Sequence, residues 1–443
     1  MTRILITTMP MAGHLQPLVP LAARLVAGGH QVVWYTGRKY GPAVERTGAR
    51  FRPYAAELDW DDARLYERPA GTGIKQLRAD IRDVFVAPVP AHMADLATVF
   101  DEFAPEVIVA EQGFMAGPLA GEQRGIASVV VGVTPLSISS VDAAPFGLGK
   151  PPATGPAGRL RNRLLNAMMK KVVFGEAQRL AEQIRREAGL PALSDYFMDW
   201  AARVADRFLS VSIPEMEYPR RDLPANVGFV GPMLSSTGKR PALPSWWSDV
   251  AAARAAGRPV VLVTQGTIAT DPTNLVLPSV HALAGDDALV IATTAGHEPT
   301  VVLPLDRRPA NLRMEAFVPF TELLPMTDLM ITNGGWGGVQ MALAHGVPLI
   351  VAGTTEDKKE VSGRVRWAGV GLALDTDTPS PAQVTAAVRT VLHSETYRDR
   401  ARQMMKAYAR YGDATESAVA QVLAVAERSG AGVNSADRRR HAA

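Results

Sequence analysis

Residues 3–36 read RILITTMPMAGHLQPLVPLAARLVAGGHQVVWYT, which is a strand, a helix and a second strand in succession. Arg3–Thr8 is a short apolar run of the kind found in buried strands. Leu15–Ala27 has the amphipathic spacing of a helix, and Gln31–Thr36 is the next strand. Because parallel strands cannot be joined by tight hairpins, this order predicts an α/β fold with a parallel sheet and crossover helices.

The same alternation of strands and helices recurs along the rest of the chain, in two similar halves. We expect further strands at Val107–Ala110, Ser128–Val133, Pro259–Thr264, Ala288–Thr293, Leu312–Ala316, Leu329–Thr332, Pro348–Ala352 and Gly371–Leu374. At 443 residues the chain exceeds one ordinary core, so two domains are expected. We predict a first domain at 1–231, a Pro- and Ser-rich linker at 232–248 and a second domain at 249–415. A helix at 416–428 would pack back towards the first domain, and 429–443 would be a disordered tail.

Composition excludes several classes of site and partner. The chain has no cysteine, which rules out disulfides, thiolate metal sites and cysteine nucleophiles. Its 47 basic and 44 acidic residues give a net charge of +3, which does not indicate nucleic-acid binding. No apolar stretch approaches the ~20 residues of a membrane-spanning helix. We therefore expect a soluble, cytoplasmic protein without a transmembrane segment.

The sequence also predicts no metal site. Two Asp-x-Asp motifs are present, Asp59-Trp60-Asp61 and Asp375-Thr376-Asp377. The first lies in an acidic stretch away from the loops discussed below, and the second is explained by a turn. The histidines other than His14 show no ligand spacing.

Three loops follow predicted strands, and ligands of open parallel sheets bind where strands end. The first, residues 9–17 (MPMAGHLQP), places His14 where the chain enters a helix. Its imidazole has an ordinary pKa of ~6.5 and can accept a proton, although a histidine there can also lack a role.

In the second loop Gly266 lets the backbone approach a ligand, and the Thr267 hydroxyl can bind phosphate. An ordinary strand-to-helix turn is the alternative.

The third loop, residues 332–340 (TNGGWGGVQ), is the most informative. Its four glycines, at 334, 335, 337 and 338, would keep a helix N-terminus clear, so that free amides and the helix dipole face an anion. Close packing of helix on sheet is the alternative. Beyond the next predicted strand, Asp357 reaches the same sheet edge. This carboxylate can accept hydrogen bonds from sugar hydroxyls or stabilise its own helix N-terminus.

A basic amphipathic segment spans Arg159–Arg186. Cations surround apolar residues in its first part, namely Arg159, Arg161, Arg163, Lys170 and Lys171 around Leu164, Leu165, Met168 and Met169. Three interpretations remain open at this point: a weakly membrane-associated surface, the wall of an acceptor pocket, or a half-exposed helix.

Together these motifs resemble a known family. Gly13-His14-x-x-Pro17, followed by Asn333-Gly-Gly-x-Gly, Gly346-Val-Pro and Asp357, is similar to the UDP-glycosyltransferase superfamily. The bacterial branch that decorates macrolides and other natural products is the most similar. The resemblance covers nearly the whole chain in the correct order. It implies a GT-B fold, with two facing Rossmann-like doubly wound domains and an interdomain cleft. The acceptor would bind the first domain and the nucleotide-sugar the second.

The resemblance also implies a reaction. A hexose or deoxyhexose would move from UDP or dTDP to a hydroxyl of a lipophilic acceptor, a natural product or glycolipid, with inversion and without a metal. The nucleotide-sugar is a co-substrate, so no cofactor is expected. His14 matches the catalytic base and Glu111 its carboxylate partner. The residues implied in nucleotide-sugar binding are Gly266, Thr267, Val318, Asn333, Gly334, Gly335, Trp336, Gly337, Gly338, Asp357 and Lys358.

Three positions depart from the family pattern. Asn333 stands where a histidine is usual, Met341 replaces an acidic residue that holds the ribose, and Lys358 replaces a glutamine. These departures favour an alternative, a catalytically silent protein that activates a partner transferase. His14 and Glu111 argue against it, because such a protein needs no base. A nucleotide-sugar epimerase on the same scaffold is a further alternative, which the apolar segment 135–169 disfavours.

Overall fold

The computed structural model describes residues 1–63, 74–233, 242–266 and 271–430. These residues form two open sheets. The seven-stranded sheet has the order β3-β2-β1-β4-β5-β6-β7, with β1 Arg3–Thr7, β2 Gln31–Thr36, β3 Arg50–Pro53, β4 Val107–Glu111, β5 Ala127–Gly132, β6 Arg207–Ser210 and β7 Val227–Phe229. The six-stranded sheet has the order β10-β9-β8-β11-β12-β13, with β8 Val260–Thr264, β9 Leu289–Thr293, β10 Leu312–Glu315, β11 Leu329–Thr332, β12 Leu349–Val351 and β13 Gly371–Ala373.

Helices connect the strands in both halves. In the first half they are α1 Ala12–Leu15, α2 Val19–Ala27, α3 Gly41–Glu45, α4 Ile74–Asp80, α5 Val89–Phe103, α6 Ala116–Arg124, α7 Pro156–Met168, α8 Gly175–Glu187 and α9 Trp200–Val204. In the second half they are α10 Ser248–Ala255, α11 Val276–Leu283, α12 Pro299–Val302, α13 Phe320–Leu323, α14 Trp336–Ala344, α15 Lys358–Ala368, α16 Pro381–Leu392, α17 Glu395–Ala409 and α18 Ala414–Gly430. Wide π turns occur at Ile81–Val86 and Met169–Val173.

Each sheet is covered on both faces, which explains why its central strands are continuous apolar runs. Along β1, Leu5 points to a core shared with α5, α6 and α8, whereas Ile4 and Ile6 point to the opposite core with α2 and α18. The second sheet has two corresponding cores. All strand pairs in the described sheets are parallel, including β1 with β4 and β8 with β11. The predicted α/β fold with two doubly wound sheets is confirmed.

Each strand expected from the sequence is present, with its ends shifted by at most one residue. Three further strands were missed: β3, β6 and β7. The edge strands β3 and β7 have only four and three residues, and most of their side chains are half-buried. They therefore lack the continuous apolar run by which the buried strands were recognised.

Two helical segments discussed above are divided. The helix expected at Leu15–Ala27 starts earlier, as α1, and passes through a tight turn at Gln16–Leu18 before α2. The segment 159–186 comprises α7, a π turn and α8. The helix predicted at 416–428 is α18, and it is separated from α17 near Gly412, whose positive φ of 58° ends the helical path.

The C-terminal helix α18 packs on the first sheet. Its residues Ala418 and Val422 are fully buried in the core that also contains Ile4 and Val129. Arg24 on α2 forms ion pairs with Asp413 and Glu416 at 3.1 and 2.6 Å. Residues 429 and 430, assigned to the tail, complete α18, whereas 431–443 and the linker residues 234–241 lie outside the described residues.

A buried charged cluster joins the two halves. Arg364 on α15 is fully buried and donates to Glu217 Oε2 at 2.9 and 2.7 Å and to Glu360 Oε2 at 2.8 Å. Glu360 Oε1 in turn accepts from the backbone amides of Gly147 and Gly149, at 2.9 and 2.8 Å. The segment after β5 in the first half thus contacts the helix after β12 in the second. The carboxyl ends of the two sheets face each other across this contact.

Candidate active site between the two sheets

The first half contributes a histidine–carboxylate pair. His14 lies in α1, just after β1, and Glu111 is the last residue of β4, the strand beside β1. His14 Nδ1 lies 2.9 Å from Glu111 Oε1. This distance makes the two side chains an ion pair when His14 is protonated. The sequence analysis paired these two residues, and the structure brings them together.

Glu111 is held rigidly at this position. Its side chain is fully buried, and its Oε1 accepts a 2.6 Å hydrogen bond from the Gly113 amide. A Cβ at Gly113 would lie 3.2 Å from both carboxylate oxygens, so glycine permits this close approach. The Phe85 ring lies 6.4 Å from the His14 ring and forms an apolar neighbour of the pair.

The charges around His14 change its pKa. Burial has the largest single effect and lowers the pKa of His14. The charge of Glu111, its direct side-chain contact with His14 and the smaller effects of the Asp357 and Glu356 charges together more than offset burial. The net result is a pKa above the ordinary value. Asp357 and Glu356 belong to the second half, so charges of both halves act on His14.

The second half contributes the glycine loop between β11 and α14. Gly335 is the N-cap of α14 and Trp336 is its first residue. Gly334 has φ 92°, and a Cβ there would lie 2.7 Å from Val351 Cγ1, so this glycine is required by the backbone. Gly337 differs, because its missing Cβ would meet nothing within 4 Å. The first turn of α14 therefore has an open side at Gly337, as a site for an anion requires.

Asn333 joins two of the predicted loops. It is buried, its Nδ2 donates to the Gln265 carbonyl, and its Oδ1 accepts from the Gly335 amide at 3.4 Å. Gly266, with φ 78°, comes so close that a Cβ would lie 3.3 Å from the Asn333 amide group. Asn333, expected as a phosphate donor, thus has a structural role that the sequence did not reveal. Thr267 lies outside the described residues.

Two of the predicted binding residues, Trp336 and Val318, have side chains buried in the core. The Trp336 indole is 4% exposed and Val318 is 8% exposed, and both belong to the same core of the second half. Trp336 can therefore serve a ligand only through its backbone amide. Phe317, next to Val318, exposes 67% of its surface, which is unusual for a large aromatic residue. Phe317 lies two residues after β10, and the family resemblance pointed to its neighbour Val318.

The loop after β12 lies against the glycine loop. The Lys358 side chain is buried and runs past Gly353, where a Cβ would lie 2.6 Å from Lys358 Cδ. Lys358 Nζ donates to Thr355 Oγ1 at 3.1 Å and to Glu356 Oε2 at 2.7 Å. The aliphatic part of Lys358 thus packs against Gly334 of the glycine loop, and its ammonium group is held by Thr355 and Glu356.

Asp357 and its neighbour complete this loop. Asp357 is the N-cap of α15, and burial, followed by the Glu356 charge, raises its pKa to about 6. Glu356 has φ 52°, a conformation that is uncommon for a residue with a side chain. Asp377, which the sequence analysis assigned to a turn, accepts from the Thr354 amide at 2.8 Å and holds the loop.

The remaining candidate features have structural partners. Asp59 accepts from the Arg38 amide at 3.2 Å, and Asp61 from Lys39 Nζ at 2.7 Å. Asp375 accepts from Arg366 at 2.7 Å. Within the described ranges, no group of three or more His, Asp or Glu residues has the arrangement of a metal site. In the same ranges, no helix has both the length and the apolar character needed to span a membrane.

Comparison with known proteins assigns this arrangement to a family. Residues 275–424 match the model of the erythromycin biosynthesis protein CIII-like C-terminal domain. The chain is 40% identical to 4'-demethylrebeccamycin synthase from Lentzea aerocolonigenes, over 92% of this chain and 96% of the relative. It is 32% identical to UDP-glycosyltransferase 2 from Phaeomoniella chlamydospora, over 91% and 92%. The solved glycosyltransferase VinC, in complex with dTDP, has a TM-score of 0.66 at 23% identity, over 96% and 100%.

The similarity extends over both sheets rather than over one shared domain. The structural match shows the expected GT-B fold, and the two sequence relatives cover nearly the full chain at 30% identity or more. The resemblance inferred from the glycine loop and the N-terminal histidine motif is therefore confirmed. The chain belongs to the UDP-glycosyltransferase superfamily and has its GT-B fold. Within this superfamily it groups with the sugar-transferring enzymes that act on natural products.

Proposed function

We propose that this enzyme is an inverting, metal-independent glycosyltransferase that uses a UDP- or dTDP-activated hexose or deoxyhexose. The acceptor would be a lipophilic small molecule with a reactive hydroxyl. One observation carries the proposal: His14, 2.9 Å from Glu111, is influenced by the charges of Asp357 and Glu356, whose loop in the opposite half packs against the glycine loop. This arrangement supports a base in the first half acting beside an anion site in the second.

His14 acts as the general base in this proposal. Its Nδ1 is directed at Glu111, which leaves Nε2 for the acceptor hydroxyl. As the acceptor oxygen forms its bond to the anomeric carbon, the bond from that carbon to the diphosphate breaks. The hydroxyl proton passes to His14, and the nucleoside diphosphate leaves with the bonding electrons. Attack opposite the leaving group inverts the anomeric carbon, and buried Glu111 stabilises the imidazolium that forms.

The leaving diphosphate gains negative charge during this step. The free amides at the start of α14, beside the open position of Gly337, would stabilise that charge. Lys358 would contribute a positive charge near this site, because its side chain packs against Gly334, although its ammonium group also pairs with Glu356. These groups would take the part that a metal ion plays in other transferases. Removing one such donor costs about 3 kcal/mol in the barrier, by analogy with oxyanion holes.

The donor and the acceptor are proposed from two further observations. One relative is a UDP-glycosyltransferase and one solved structural neighbour holds dTDP, which supports a uridine or thymidine nucleotide. The exposed Phe317 ring offers a stacking surface for the base. On the acceptor side, Phe85 beside His14 provides an apolar wall that suits a lipophilic substrate.

An assay of donors and acceptors tests the proposal. The enzyme would be incubated with UDP- and dTDP-sugars and a panel of hydroxylated lipophilic acceptors, with and without EDTA. We expect release of nucleoside diphosphate only when an acceptor is present, a product of inverted anomeric configuration, and no effect of EDTA. Strong inhibition by EDTA or a retained configuration would contradict the mechanism. Conversion of the sugar without an acceptor would indicate an epimerase instead.

A further inference from the structure

One side of α7 and the turn after it carries a row of exposed apolar residues. Leu160, Leu164, Met168 and Val172 expose 58, 64, 44 and 67% of their surface. Residues four apart lie on the same face of a helix, so these side chains form one line, which we call the apolar stripe. Such a contiguous apolar surface on a soluble protein marks an interaction site.

The stretch of chain that carries the apolar stripe is strongly basic, and the nearest carboxylate after it, Glu176, is paired with Arg82. No aspartate or glutamate occurs from Ala143 to Gly175, whereas six cations do: Lys150, Arg159, Arg161, Arg163, Lys170 and Lys171. Arg161 donates to Asn162 Oδ1 at 3.0 Å, and Lys170 donates to the Ser194 carbonyl. Arg163 and Lys171 are exposed and form no ion pair with a carboxylate in the described part of the chain. Uncompensated positive charge therefore borders the stripe.

The opposite side of the segment fixes its orientation. Asn162 is fully buried and donates to the Val141 carbonyl at 3.1 Å, and Asn166 donates to the Ser140 carbonyl at 2.9 Å. Met169 and Val173 are buried in the first core. The segment cannot rotate to hide its stripe without breaking these contacts. The apolar face is therefore a fixed feature of the outer surface, next to the chain that leaves β5.

We propose that the apolar stripe and its cations form a docking surface for an anionic lipid membrane. The helix would lie in the plane of the surface, with the stripe in the boundary between headgroups and acyl chains. Arg163 and Lys171 would contact lipid phosphates, since positively charged side chains beside an apolar face are attracted to anionic lipid. Charge complementarity favours lipid as the occupant, because a run of 33 residues without a carboxylate matches a uniformly negative surface. The proposal does not depend on the donor or the mechanism.

Sedimentation with lipid vesicles tests the proposal. The full chain would be mixed with vesicles of phosphatidylglycerol and phosphatidylcholine, or of phosphatidylcholine alone, at low and high salt. We expect binding to the anionic vesicles that weakens with salt, and at least about tenfold weaker binding to the neutral ones. A chain that remains in the supernatant with anionic vesicles at low salt would overturn the proposal.

Two pairs of variants assign the binding to this surface. Leu164→Glu with Val172→Glu should weaken binding roughly tenfold or more. Val301→Glu with Leu305→Glu is the matched control, because those residues are 79 and 70% exposed in the other half, and it should bind as the parent does. Thermal melting confirms that each variant folds. Equal binding by both pairs would contradict the assignment.

A further measurement separates a membrane from a second copy of the chain. Light scattering in the absence of lipid gives the molar mass of the parent and of the stripe variant. We expect the same mass for both. A parent dimer that the Leu164→Glu and Val172→Glu changes convert to a monomer would show that the stripe is a protein interface, and would overturn the proposal.

Discussion

At the scale of single residues, the buried Glu111 carboxylate affects the pKa of His14 and therefore the pH dependence of the reaction. Glu111 is fully buried at the end of β4, and it contributes most, ahead of Asp357 and Glu356, to raising the pKa of His14 above the ordinary value against the effect of burial. A base must be neutral to accept a proton, so the activity should rise with pH as the His14 imidazolium deprotonates. That rise should have its midpoint above ~6.5, the ordinary value for histidine.

Replacing the carboxylate should move this midpoint. In Glu111→Gln the burial of His14 remains but the charge that offsets it is lost, so the pKa of His14 should fall. We expect the acid limb of kcat/KM to shift to lower pH, with the maximal rate reduced about 10²–10⁴-fold. The measurement is a pH profile of kcat/KM for the variant and for the exposed control Glu45→Gln. An unshifted limb would show that Glu111 does not act on His14.

At the scale of elements, the glycine loop before α14 combines two different requirements. Gly334 has a positive φ of 92° and no room for a Cβ, whereas Gly337 has open space where a Cβ would be. The sequence analysis gave all four glycines the single task of keeping the helix end clear. The structure instead divides them between backbone geometry and access to the amides.

Two alanine substitutions should separate these requirements. Gly334→Ala should lower the free energy of unfolding by about 1–3 kcal/mol, because alanine is strained at that φ and would meet Val351. Gly337→Ala should leave stability within about 0.5 kcal/mol and weaken binding of the nucleotide-sugar, since the new methyl lies beside the helix amides. Unfolding by denaturant and titration with the donor measure the two effects. The same stability loss in both variants would contradict this division.

Elements also show what a sequence can and cannot predict. Buried strands such as β1 and β8 are continuous apolar runs, and their bounds were predicted to within one residue. The edge strands β3 and β7 were not predicted from the sequence, because they are short and half-buried. The loops after predicted strands pointed to His14 and Asp357, whereas Glu111 was indicated by the family resemblance. Which of Phe317 and Val318 is exposed depends on tertiary packing, and adjacent positions in a loop carry no such signal.

At the scale of the whole molecule, the two halves are joined by charged groups that are withdrawn from water. Arg364 is fully buried between Glu217 from the first half and Glu360 from its own helix. Removing one member of such a group leaves the others buried without compensation. This helix begins one residue after Asp357, so the same contact orients the loop that faces His14.

Loss of the central cation should therefore affect stability and activity together. Arg364→Met should reduce the free energy of unfolding by about 3–5 kcal/mol and lower transfer, because Glu217 and Glu360 lose their partner. Arg366→Met is the matched control: its pair with Asp375 is exposed, so about 0–1 kcal/mol is expected. Denaturant unfolding and a transfer assay of both variants measure these effects. Equal losses of stability and activity in the two variants would contradict the role of the buried cluster in joining the halves.

The central claim is that an imidazole of the first half takes a proton from an acceptor while the second half holds the donor. Single-turnover transfer by His14→Ala, measured together with donor affinity, tests it most directly, with exposed His393→Ala as the control. The account predicts an unchanged donor Kd and a transfer rate reduced about 10²–10⁴-fold in His14→Ala only. Undiminished transfer by that variant would contradict it.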